Sequence, residues 1–442
     1  MNTEQFAITP RWVICVDAEN RVLENHAVIV NADKIAAVVP WPEAQSRYHG
    51  IQVIDLPEQA LMPGLINAHT HMAMNLLRGF ADDLPLMTWL SEHIWPAEGQ
   101  HVNREFVADG TRLAIAESVR GGVTCFNDMY FFPDTIAETA KEMGIRASVG
   151  LIALDFPTVW AQNADEYLSK GRELYNDLQG QSMITTMIAP HAPYTVSEEP
   201  LRKIAAMRDS LGVGVHIHVH ETAVEVQQFL EQHGIRPLAR LAEVGLLDDQ
   251  LAAVHMTQLI DTEIEQLAQT GSHVLHCPES NLKLASGIAP IARLLDASVN
   301  VAIGTDGAAS NNDLDMLGEI RSAAFTGKNA AENAASLPAE QLIRMATING
   351  AKALGIDEQT GSIEAGKQAD LATIDFNRIE LQPVYNPVAQ IVYSANRYDV
   401  SNVWIAGSQL LSAGNFTRYP EQALIDKARQ WGERIQSTRI TG

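Results

Sequence analysis

Residues 64–71 read GLINAHTH, a short apolar run that closes on two histidines. From about residue 63 onward such runs alternate with longer stretches of helical spacing. The further runs are GVTCFNDM (122–129), RASVGLIA (146–153), MITTMIAP (183–190), VGVHIHVH (213–220), LAAVHM (251–256), HVLHCP (273–278) and NVAIGTD (300–306). Segments of 3.6-residue periodicity separate most of them, for example REFVADGTRLAIAESVRG before the second and SEEPLRKIAAMRDSLG before the fifth. Eight parallel strands with intervening helices is the number that closes a (β/α)8 barrel. The fold class predicted is therefore α/β, a TIM-like barrel over residues 63–365.

On either side of this region the texture changes. Residues 1–62 hold short strand-like runs, RWVICV, AVIVNADKIAAVV and IQVIDL, broken by Asn, Asp, Gly and Pro turns. The C-terminal part returns to such runs in ADLATIDF, VAQIVYSA and SNVWIAGSQLL, then ends in a helical pattern, PEQALIDKARQWGERI. Residues 1–62 and 366–442 are thus expected to build one small β-sandwich domain from both termini.

The bulk properties agree with a large globular chain. Of 442 residues, 46% are hydrophobic and 19% charged, enough apolar surface for a sizeable core and too little charge for a disordered protein. The formal net charge of −23 would repel phosphate backbones and anionic lipid surfaces, so neither nucleic acid nor membrane is an expected partner. Three well-separated cysteines, Cys15, Cys125 and Cys277, suit a reducing compartment. The N-terminus shows no basic segment followed by an apolar run, and no apolar stretch reaches spanning length. A cytoplasmic location is the expectation.

The residues that bear chemistry collect at strand ends. In an extended chain, residues two apart share a face, so His69 and His71 can reach one ion. The fifth run carries His216, His218 and His220 on one face, any of which could complete a three-histidine set, with Glu221 just beyond. His255 lies near the end of the sixth run, and Asp306 closes the eighth. Each alone has an ordinary structural reading: a hydrogen-bonded histidine, or an Asp–Gly turn. Together they fall on the C-terminal rim, the face on which barrel active sites are built.

The stretch MPGLINAHTHMAMNLLRGFADDLPLMTWL, with HIHVHET, AAVHMTQL, HCPESNLKL and GTDGAASNN, resembles the amidohydrolase superfamily. More narrowly it is similar to the 5′-methylthioadenosine/S-adenosylhomocysteine deaminase group, over essentially the whole chain. That resemblance implies a metal-dependent aminohydrolase acting at C6 of an adenine nucleoside. It makes His69, His71, His218 and Asp306 the ligands of one ion, Zn²⁺, with Fe²⁺ the other ion such a set accepts. His218 is chosen over its neighbours because the family spacing is His-x-x-Glu, ending here in Glu221. Glu221 and His255, with Asp306, become the proton-transfer residues. Glu98 of HIWPAEG would hold the ribose hydroxyls, and His191 of APHAPYTVSEE would contact the nucleoside. A bound Zn²⁺ would lower the pKa of its water from 15.7 to about 7. Binuclear relatives carry a bridging lysine at the end of the fourth strand, where this chain has Pro190-His191, so one ion is expected. The unrelated zinc-deaminase fold needs H-x-E with P-C-x-x-C, and the chain contains no C-x-x-C. By the same resemblance a homo-oligomer is expected.

For substrate, Met72, Met74, Leu84, Leu86, Met87 and Trp89 offer thioether and aromatic surface to an apolar 5′ group. Relatives that take S-adenosylhomocysteine can carry arginines after the third strand; SVGLIALDFPTVWAQNADEYL contains neither Arg nor Lys. 5′-Methylthioadenosine, giving 5′-methylthioinosine and ammonia, is therefore favoured over S-adenosylhomocysteine, with adenosine a further candidate substrate. The rival readings are a guanine or oxidised-purine deaminase, a triazine hydrolase, and a non-catalytic scaffold. The last should have lost ligands that this chain retains.

Overall fold

The computed structural model describes residues 5–439. Residues 1–4 and 440–442 of the expected terminal unit lie outside them. All eight predicted runs are strands: Leu65–Thr70, Val123–Asp128, Arg146–Ala153, Ile184–Pro190, Val215–Val219, Leu251–His255, His273–His276 and Asn300–Ile303. They hydrogen-bond in chain order, each parallel to the next. The first three are buried at every position, as strands must be when helices cover one face and packed side chains fill the other.

The eighth strand meets the first through individual bonds. Asp306 N donates to His69 O at 3.0 Å, and Asn67 Nδ2 donates to Thr305 Oγ1 at 2.7 Å. Gly304 permits this approach, because a Cβ there would lie 2.6 Å from His69 N. Closure at this seam brings Asp306 onto the two histidines of the first strand.

The terminal segments form one continuous nine-stranded mixed sheet rather than two stacked ones. The reason is the length of the strand Gln52–Pro63. It runs parallel to Gln5–Ile14 on one edge and antiparallel to Leu371–Asp375 on the other, so the N- and C-terminal strands share one ladder system. The run VAQIVYSA, expected as a strand, is a helix, Pro387–Tyr393. Asn386 caps it by accepting from Ala389 N at 3.0 Å, and Pro387 supplies a preset first turn. Its buried residues, Val388, Ile391 and Val392, follow helical spacing rather than alternation.

The terminal segments also pack against the barrel. The last helix, Glu421–Arg439, lies on the barrel helix Arg104–Arg120. Trp431 meets Phe106 edge-on at 5.2 Å and donates its indole N–H to Asp109 at 2.9 Å. A buried ion pair, Arg146 to Asp370 at 2.9 Å, ties the start of the third barrel strand to the terminal sheet. No helix of the described residues is long and apolar enough to cross a membrane.

Candidate active site

The C-terminal rim assembles four donors. One ligating atom from each of His69, His71, His218 and Asp306 lies within 4.8 Å of every other. His69 Nε2 and His71 Nε2 sit 3.3 and 3.1 Å from Asp306 Oδ1, and His218 Nε2 is 3.2 Å from His69 Nε2. A tetrahedron with bonds of about 2.0–2.1 Å has an edge of roughly 3.4 Å, so the donor set suits one small divalent ion.

The opposite ring nitrogens are occupied, and this orients the rings. His71 Nδ1 donates to Met129 O at 2.6 Å, and His218 Nδ1 donates to His191 O at 2.7 Å. His69 Nδ1 faces His216 Nε2 at 2.8 Å. Such partners leave the Nε2 lone pairs free for an ion. Asp306 is held as firmly: Ser280 and Ser310 donate to Oδ2 at 2.6 and 2.8 Å, and Gly307 N donates to Oδ1 at 2.8 Å.

The electrostatics couple Asp306 to the histidine rings. Burial would raise Asp306, but the bonds to His69 and His71 hold it well below the usual carboxylate range. Burial opposes charge on His71, yet Asp306 and the Met129 carbonyl lift it to about 9. Burial drives His69 down to about 4 and His218 well below its ordinary value.

Of the three fifth-strand histidines, spacing placed all on one face, and the structure separates them. His216 props His69 and His218 joins the donor set. The strand ends at Val219, and His220 has φ +55°, which swings its ring away to accept from Leu238 N at 3.2 Å. His255 and Asp306 also take left-handed φ values, +72° and +60°, a strained backbone of the kind that collects at functional sites.

Around the donor set lies a cavity walled by His71, Glu98, His191, His218, Glu221, His255 and Asp306, so every predicted polar site residue reaches it or its floor. His255 Nδ1 donates to Asn281 Oδ1 at 2.8 Å, leaving Nε2 as a bare acceptor 3.9 Å from Glu221 Oε2. Burial lowers His255, keeping it neutral. Burial, with the charge of Asp306, pushes Glu221 up to about 8, so it carries a proton at neutral pH. Burial likewise raises Glu98 to about 7.

The apolar wall comes from the segment after the first strand, where a widened π-type turn, Trp89–Ile94, runs into the helix Trp95–His101. Trp89, Leu90, Ile94 and Trp95 all line the cavity, and Phe156 closes on Trp95 from the third-strand loop at 6.4 Å. Of the methionines and leucines expected there, Met74 and Leu86 line the cavity; Met72 and Leu84 are not among its lining residues, Met72 being fully buried, and Met87 is 43% exposed. Lys283 pins this segment through Asp82, 2.7 Å away. Ser280, Ser310, Asn281 and Tyr130 were not singled out by sequence reasoning. Ser280 and Asn281 lie within HCPESNLKL and Ser310 within GTDGAASNN, motifs whose short polar residues were the available signal.

The amidohydrolase family model matches residues 60–410. The chain belongs to the amidohydrolase family. Within this family it is 48% identical to a 5-methylthioadenosine/S-adenosylhomocysteine deaminase of Teredinibacter turnerae, over 99% of both chains. An adenosine deaminase from Xanthomonas campestris, solved with bound zinc, superposes with a TM-score of 0.97 at 49% identity, covering 98% of each chain. An atrazine chlorohydrolase from Arthrobacter aurescens, at 23% identity and TM-score 0.90 over 96% of this chain and 99% of its own, shares the amidohydrolase fold.

Proposed function

We propose that this amidohydrolase is a zinc-dependent deaminase that converts 5′-methylthioadenosine to 5′-methylthioinosine and ammonia. The observation that carries the reading is a four-donor cation site with Glu221 and His255 beside it at the floor of an apolar cavity. His69, His71, His218 and Asp306 would hold the ion. When bound, Zn²⁺ lowers the pKa of its water to about 7 and so supplies a nucleophile at neutral pH.

The chain's own residues do the rest. Glu221 donates its proton to ring N1, which makes C6 electrophilic. His255, through its bare Nε2, and Asp306 take the proton of the attacking water and return it to the departing amine. The tetrahedral carbon then gives its remaining hydroxyl proton back to the Glu221 carboxylate and collapses to the inosine and ammonia. Glu98 accepts from the ribose hydroxyls, a vicinal pair that a free purine or triazine lacks. His191 lies against the nucleoside, and its carbonyl steadies His218. Trp89 packs on the substrate with the other apolar wall residues.

The 5′ preference follows from charge. Among the described residues lining the cavity there is no lysine or arginine. The carboxylate of a homocysteine tail would leave water without a charge-assisted partner there, whereas a methylthioether loses nothing. Ammonia release from 5′-methylthioadenosine, adenosine and S-adenosylhomocysteine, with guanine and a chlorotriazine alongside, is the test. The expected kcat/KM for 5′-methylthioadenosine exceeds that for S-adenosylhomocysteine by about tenfold or more, the worth of one lost charge-assisted bond. A preference for S-adenosylhomocysteine would defeat the 5′ assignment, and turnover of guanine or triazine alone would defeat the nucleoside assignment.

The serines behind Asp306 allow a separate check on the metal reading. Replacing both Ser280 and Ser310 by alanine frees the outer carboxylate oxygen. Zinc affinity should then fall about 10–100-fold, as for other residues that orient ligands. Competition with a chromophoric chelator measures this, and an unchanged affinity would show that Gly307 N and the histidines suffice.

A further inference from the structure

Glu98 and Tyr130 meet from different parts of the rim. Glu98 stands on the helix Trp95–His101, and Tyr130 lies two residues past the end of the second strand, Val123–Asp128. The Tyr130 hydroxyl donates to Glu98 Oε1 at 2.7 Å, with both side chains buried and both on the cavity wall. The residue before Tyr130 is Met129, whose carbonyl accepts the Nδ1–H of His71. One short stretch of chain therefore fixes both a member of the four-donor set and the carboxylate above it.

A glutamate side chain turns freely about its last bond, and a carboxylate offers about four lone-pair positions. A single phenol bond to Oε1 removes that rotation and leaves Oε2, with the spare lone pair of Oε1, directed to other donors. We propose that Tyr130 is a positioning residue for sugar recognition. By pinning one oxygen of Glu98, it presents the carboxylate to a vicinal diol at a fixed distance from the donor set and thereby sets selectivity for ribonucleosides. This rests on the reading of the site as a nucleoside deaminase in which Glu98 meets the ribose.

The test compares adenosine with 2′,3′-dideoxyadenosine, which keeps the reacting base and lacks the diol. The unmodified holoenzyme should favour adenosine. In Tyr130→Phe, KM for adenosine should rise about tenfold with kcat changed much less, the loss of one bond to a charged group that acts in binding. The adenosine-to-dideoxyadenosine ratio of kcat/KM should fall by the same factor. In a Glu98→Gln background, Tyr130→Phe should not lower that ratio further, because the two residues act as a unit. A Tyr130→Phe enzyme that loses activity equally on both substrates, or retains the full ratio, would overturn the role of Tyr130 while leaving the deaminase reading intact. Equal turnover of both substrates by the unmodified enzyme would overturn the diol role of Glu98 and this proposal with it.

Discussion

Glu221→Gln is expected to lower kcat by about 10²–10⁴-fold, the usual worth of a positioned general acid, with bound zinc unchanged. The amide keeps the size of the carboxyl but has no proton of comparable acidity to give to ring N1. The local backbone should survive the change, because it is fastened by Glu225 rather than by the Glu221 side chain. Glu225 accepts from Glu221 N at 2.7 Å and completes a capping box with Thr222 at the start of the helix Ala223–His233. Glu221 lies outside the four-donor set, so metal content should stay at one ion per chain. Ammonia release at saturating substrate and elemental analysis of the same sample measure the two quantities. A variant within tenfold of the parent would remove Glu221 from the proton path.

Chelation should abolish turnover, by a factor on the order of 10³ or more, since unassisted water has a pKa of 15.7 against about 7 on zinc. One equivalent of Zn²⁺ should restore it. His218→Ala should take up less metal at the same free concentration and remain inactive after zinc is supplied. The fold should persist, because the barrel core is apolar and continuous beneath the donor set. Far-UV circular dichroism before and after chelation checks that point, and metal analysis checks the stoichiometry. Full activity in metal-free enzyme would sink the zinc mechanism, and a requirement for two ions per chain would sink the single-ion reading.

Much of the architecture could be read from local pattern. Each barrel strand is a short run of apolar residues, and burial on both faces leaves no other way to satisfy such a run in a parallel sheet. His69 and His71 were legible as a pair because side chains two apart on a strand share a face. Local pattern failed where chain geometry departs from the regular element. His220 obeys alternation in the sequence yet turns away at a positive φ just past the strand end. The run VAQIVYSA has strand-like composition, but Asn386 and Pro387 start a helix whose buried residues are three and four apart. The sandwich expected of the termini is a single sheet because one strand, Gln52–Pro63, pairs along both edges, a long-range choice that composition does not encode.

By itself the sequence determined the eight β/α units, the strand ends that bear histidine and aspartate, and the net charge of −23. These depend on neighbours along the chain and on summed charge. Alternation alone left three histidines open, and the His-x-x-Glu spacing of the family picked out His218, which the structure places in the donor set. Only the tertiary structure decided that Ser280 and Ser310 steady Asp306 and that Tyr130 holds Glu98. Apart from Ser310, four residues from Asp306, those pairings join residues 26 or more positions apart, and the His69–Asp306 contact lies across the barrel seam. Barrel closure brings such groups within bonding distance, and no periodicity along the chain records where a closed sheet will bring its edges together.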